Sequence, residues 1–131
     1  MGIRDFVEVD FECGKGWDSI IEPLVRYVQH YNETHKKKKI DIVQIKEKFG
    51  GLRFYTHGTT KKLDAMVQAA ENEAYQTCEL CGSKEDIGQT ADGWITTCCR
   101  KCVQVMANKA KVNRKWYSHN DKEVKEIKYE N

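Results

Sequence analysis

Residues 78–81 (CELC) and 99–102 (CRKC) are two C-x2-C pairs separated by 17 residues. Each two-residue gap lets both sulfurs of one tight turn reach a common point about 2.3 Å away, and two such turns close a tetrahedron. Cys78, Cys81, Cys99 and Cys102 are therefore the expected ligands of one structural zinc ion. Gly82 follows the first pair and permits the backbone turn a knuckle needs. The second pair opens a predicted helix, whose free N–H groups favour thiolate. An iron–sulfur cluster is the alternative use of four thiolates. Cys98 competes with Cys99 as a ligand, since TTCCRKC holds three cysteines. The two-residue gap and the helical phase select Cys99 and leave Cys98 as a packing residue. Cys13, in a loop with two glycines, reads as a small buried residue.

A catalytic zinc keeps one position for water, whereas four cysteines fill them all. No H-x-E precedes the pairs and no H-E-x-x-H occurs, so the deaminase and metalloprotease constellations are missing. The expected role of the metal is a staple for a segment too short to build its own core. The reading is of a protein that is not an enzyme, with no small-molecule substrate inferred.

The bulk numbers agree with this. The chain has 131 residues, 40% hydrophobic and 32% charged. No apolar run approaches the roughly 18–20 residues of a membrane span. The opening MGIRDFVEVDFE has no apolar signal core, so the expected setting is a reducing cytoplasm, where paired cysteines bind metal more often than they form disulfides. The formal net charge is +2. A zinc held by four thiolates contributes about −2, bringing the total near zero, and global charge then gives no signal for nucleic acid.

The elements that must position these cysteines follow from periodicity. Val7, Val9 and Phe11 alternate with acids and predict a strand over residues 5–12. Trp17, Ile20, Ile21, Leu24, Val25 and Val28 recur at helical spacing up to about His35. Ser19 and Glu22 form a candidate capping box, in tension with Pro23. HKKKK is a solvated turn. Residues 40–48 and 52–57 predict two strands joined at Gly50-Gly51. Taken literally, that turn pairs Phe49 with Leu52 and Glu47 with Phe54. Val43, Ile45, Phe49, Leu52 and Phe54 then form the core face, and Lys46, Lys48, Arg53, Tyr55 and His57 the other. Thr59 or Thr60 caps a second helix to about Gln76, with Leu63, Met66, Val67, Ala70 and Ala74 inward. A third helix is predicted over about Arg100 to Trp116. The fold class is α+β: a small N-terminal sheet (strand, helix, hairpin, helix) over residues 1–77, an appended four-cysteine finger of treble-clef type over 78–118, and a charged tail over 119–131.

QIKEKFGGLRFY (44–55), TCELCG (77–82) and GWITTCCRKC (93–102), with ECGKGW (12–17) ahead of an apolar helix, resemble a family of small, mostly uncharacterised proteins of bacteriophages and bacterial genomes. The resemblance spans about residues 12–102. It implies a phage-linked setting and no particular reaction. It also places a leucine where Cys98 stands, in line with packing, and an acidic residue where Lys15 stands.

Two binding readings follow. In the first, the chain docks on a host protein, in host takeover or counter-defence, with Tyr27, Tyr31, Tyr55 and Tyr117 as candidate anchors. In the second, it binds nucleic acid. Residues 97–120 hold Arg100, Lys101, Lys109, Lys111, Arg114 and Lys115 with no acid, and Trp116, Tyr117 and His119 follow. Lys46, Lys48, Arg53 and Tyr55 would add a second basic-aromatic face.

Overall fold

The computed structural model describes residues 2–131. Three α-helices and two small sheets make a mixed α+β fold among these residues. The predicted N-terminal strand is mostly something else. Ile3–Phe6 form a 3₁₀ turn, and only Phe11–Glu12 (β1) pair, parallel to the next strand. The alternation that suggested a strand is met differently: Val7, Val9 and Phe11 lie half-buried against the core along a mostly unpaired segment that bends at Glu8 and Val9.

A 3₁₀ turn, Lys15–Trp17, feeds helix α1, Asp18–Thr34. The expected Ser19–Glu22 capping box is not formed. The helix begins earlier, at Asp18, whose carboxylate receives the Arg4 guanidinium at 2.9 Å, and Glu22 pairs with Arg26 one turn on. Pro23 sits inside the helix.

Strands β2 (Asp41–Lys48) and β3 (Gly51–His57) form the hairpin, with the turn one residue earlier and the pairing therefore two residues out of the expected register. Lys48 pairs with Gly51 and Glu47 with Leu52, so the two turn residues are Phe49 and Gly50. Both have positive φ, 54° and 80°, the pattern of a type I′ turn that suits the twist of paired strands. A bulge between Ile42 and Gln44 shifts the register again. It turns Val43 out to solvent, while Ile45, Leu52 and Phe54 stay in the core. The expected core face thus loses Val43 to the bulge and Phe49 to the turn.

Phe49 is 69% exposed in a left-handed conformation that disfavours a side chain. Phe49→Asn creates the preferred Asn-Gly turn. It should raise stability by about 1 kcal/mol, read as a higher denaturant midpoint at unchanged slope.

Helix α2 (Lys61–Ala74) is capped by Thr60, whose hydroxyl accepts from the Leu63 N–H at 3.0 Å. Trp17, Ile21, Leu24, Val25, Ile45, Leu52 and Leu63 are fully buried where α1, α2 and the hairpin meet. Each such aliphatic contributes roughly 1.5–3 kcal/mol by leaving water.

The second sheet has the order β5-β4-β6-β7, with β4 Ile87–Thr90, β5 Thr97–Cys99, β6 Arg114–Ser118 and β7 Glu123–Ile127. Helix α3 runs from Arg100 to Ala110 and does not reach Trp116. Lys111 takes a left-handed conformation (φ 54°), and the Val112 N–H returns to the Ala107 carbonyl at 3.2 Å. This is a Schellman-type ending, made here without its usual glycine. The chain then re-enters the sheet as β6, and the charged tail supplies edge strand β7.

Candidate metal centre

The knuckle at 78–82, the β4–β5 hairpin and the first turn of α3 bring the four predicted sulfurs together. Those of Cys78, Cys81, Cys99 and Cys102 all lie within 4.8 Å of one another. Sulfurs about 2.3 Å from a common tetrahedral centre stand about 3.8 Å apart, and Cys81 and Cys99 are 3.7 Å apart. The four cysteines can therefore hold a metal ion.

The two halves of the site repeat one device. The Cys81 N–H donates to the Cys78 sulfur and the Cys102 N–H to the Cys99 sulfur, both at 3.4 Å. Cys99 is also the N-cap of α3, where free amides favour a thiolate. Gly82 has φ +81°, as its place after the knuckle demands. Its N–H donates to the Cys78 carbonyl at 2.9 Å. Cys98 points elsewhere. It is fully buried, and burial pushes its thiol up to about 12. Burial likewise pushes the Cys13 thiol up to about 12, and Cys13 lies outside the cluster, packed on the N-terminal core.

The structure assigns a contact to the ECGKGW loop that the sequence alone did not disclose: it clamps the first knuckle. The Gly16 N–H donates to the Glu79 carbonyl at 2.7 Å, and the Gly14 N–H to the Glu79 carboxylate at 2.8 Å. The Trp17 indole N–H donates to the Thr77 carbonyl at 3.0 Å. Glu79 is buried, and desolvation raises its pKa first of all, opposed by the Gly14 N–H. Any Cβ at Gly14 or Gly16 would collide with knuckle backbone.

The hairpin tip makes the second clamp. The Thr97 hydroxyl donates to the Gly50 carbonyl at 2.6 Å and accepts from Gln89 at 3.0 Å. Glu47, the carboxylate on the core face, accepts from the Gly50 N–H at 2.7 Å and from the Trp94 indole at 3.3 Å. Thr97→Val keeps the shape but strands the buried Gly50 carbonyl. It should cost about 1–3 kcal/mol, measured by denaturant unfolding of the metal-loaded protein.

The predicted binding residues divide. Trp116 is not on the surface: it is buried, its indole donating to the Cys98 carbonyl at 3.1 Å. Arg114 is committed to Asp92 at 2.8 Å and holds that carboxyl below its usual range. Arg100, Lys101 and Lys109 are exposed on α3, and Lys115 is exposed on β6. The basic stretch is thus split between a helix and a strand. Lys46 lies 5.9 Å from the ring centre of exposed Tyr55, and Lys48 5.8 Å from that of Phe49. Arg53 is half-buried, its pKa raised by a hydrogen bond with Tyr75. Tyr27 and Tyr31 are partly buried and stacked, with the Tyr27 hydroxyl 2.7 Å from that of Thr60, while Tyr117 is exposed. Sequence reasoning passed over Trp94, which is 77% exposed.

Fold and site together define a small α+β protein with four clustered thiols able to hold a metal ion. No described helix is long and apolar enough to cross a membrane. No protein-family model, curated protein or solved structure matches the chain.

Proposed function

We propose that the chain is a non-enzymatic binding protein, stapled by one structural zinc ion and acting by docking on a host protein. The observation that carries this is the pair of large aromatic side chains, Phe49 and Trp94, held exposed on a frame that two clamps tie to the four-thiol centre. Exposed aromatics on a rigid frame lose little freedom on binding and are the side chains that anchor interfaces. Zinc is favoured over other metals by four thiolates in a closed site. The knuckle, hairpin and ligand-bearing helix follow the order of a treble clef. The phage setting, with host takeover or counter-defence as the purpose and the host cytoplasm as the place, rests on the motif resemblance.

Two measurements test this. Mass spectrometry of the native protein should give one zinc per chain; a brown, iron-containing protein would overturn the metal assignment. A photo-cross-linking residue placed in turn at exposed Phe49, at Val105 on the outer face of α3 and at Tyr117 on β6 should capture one nuclease-insensitive protein from bacterial lysate. The same contact should then form with that partner purified. Capture that vanishes with nuclease would favour nucleic acid, the reading that exposed Arg100, Lys101 and Lys109 support.

A further inference from the structure

Between the hairpin tip and the β4–β5 loop lies a cleft of about 590 Å³, lined by Lys46, Glu47, Lys48, Phe49, Trp94 and Ile95 among others. Its walls are the two most exposed large hydrophobic side chains described, Trp94 at 77% and Phe49 at 69%. Neither gains burial there, and Phe49 also holds an unfavourable backbone conformation. The turn requires the left-handed backbone but not a phenylalanine, and an exposed apolar side chain in that conformation has no folding benefit, which marks a place where binding is served instead.

The charges around the cleft select the occupant. Lys46 and Lys48 form no ion pair among the described residues. Glu47 is already occupied, bonded to the Gly50 N–H and the Trp94 indole. Those partners are neutral and leave the Glu47 charge in place, so the lining carries two lysines against one carboxylate, a net single positive charge around an apolar centre. A polyanion backbone is disfavoured, because a single net positive charge in the lining matches a few carboxylates and not a continuous run of phosphates, and a zinc-loaded chain has a total charge near zero.

We infer that this cleft docks an acidic protein segment, inserting one apolar side chain between Phe49 and Trp94 while flanking carboxylates meet Lys46 and Lys48. The inference rests on the protein-docking reading and names the partner's chemistry at one site. The geometry is that of an interface core with a charged rim, where the apolar anchor supplies affinity and the rim supplies selection.

The test is to pan a random peptide library on the metal-loaded full chain. Enriched peptides should carry one aromatic or leucine residue flanked by Asp or Glu. They should change the emission of Trp94, the one exposed tryptophan, since Trp17 and Trp116 are buried. A Lys46→Glu, Lys48→Glu double variant should bind them about tenfold more weakly or worse, and Trp94→Ala should not bind them. Both variants should keep their metal content and circular dichroism, because Lys46 and Lys48 make no ion pair and the second clamp keeps its Thr97–Gly50 and Glu47–Gly50 bonds without the Trp94 indole. No enrichment, enrichment without acids, or equal binding by Trp94→Ala would each overturn the inference. Tighter, salt-sensitive binding of an oligothymidylate at Trp94 would overturn it in favour of nucleic acid. Self-association abolished by Trp94→Ala would overturn it in favour of a second copy. If panning fails while a cross-link from position 105 or 117 still captures one partner, the cleft falls and protein docking stands; if neither yields a partner, both fall.

Discussion

Cys99→Ser should abolish stoichiometric metal binding and leave the chain without cooperative unfolding. Cys99 supplies one of four sulfurs, caps α3 and ends β5. Its loss therefore opens the metal site and the hairpin–helix junction together. The scale supports a large effect. Structural zinc contributes an apparent 10–16 kcal/mol in finger peptides, about as much as the roughly 5–15 kcal/mol of a whole domain's net stability. The neighbouring residue is the control. Cys98→Ala removes a buried sulfur outside the cluster and should cost only about 1 kcal/mol in packing, with the metal retained. Metal content by mass spectrometry and thermal unfolding by circular dichroism read both variants. A folded, fully metallated Cys99→Ser protein would refute the ligand set, as would metal loss in Cys98→Ala alone.

Gly16→Ala should be strongly damaging although it adds only one methyl group. The new methyl would collide with the Cys78 carbonyl oxygen and the Glu79 backbone, neither of which can swing aside as a side chain would. Relief requires the loop to lift from the knuckle, breaking the Gly16–Glu79 and Trp17–Thr77 hydrogen bonds. We expect a loss of about 3 kcal/mol. Lifting the loop also loosens the turn that holds Cys78 and Cys81, so a chelator should strip the metal at about tenfold lower concentration. Gly2→Ala, at a position with open space around it, should be neutral. Normal metal retention in Gly16→Ala would show that the loop packs on the knuckle without supporting it.

The metal site was legible because its geometry is local. Two C-x2-C turns and a glycine at positive φ are set by neighbours in sequence, and the structure brings those same four sulfurs together. Helices α1 and α2 were legible from their apolar stripes. What escaped was set by distant contacts or by residues acting against type. The end of α3 carries no glycine or proline; Lys111 makes the left-handed cap, so the apolar spacing ran on to Trp116 in the sequence reading. The hairpin turn places Phe where Asn is preferred, which moved the expected turn by one residue and the pairing by two. ECGKGW could not reveal its partner, because the Glu79 it clamps lies more than sixty residues away. Trp94 gave no sign of its exposure, since a lone aromatic in a loop carries no periodicity.

The exposure of Phe49 and Trp94 has an evolutionary corollary. A residue that supports the fold is held in place by the fold. Neither of these is buried, and one of them strains its own backbone. Folding constrains these two positions lightly: a left-handed turn at 49, which Asn would suit better, and one indole hydrogen bond to Glu47 at 94. The tip is free to drift as fast as whatever it binds, while the thiols and the two clamps beneath it stay fixed.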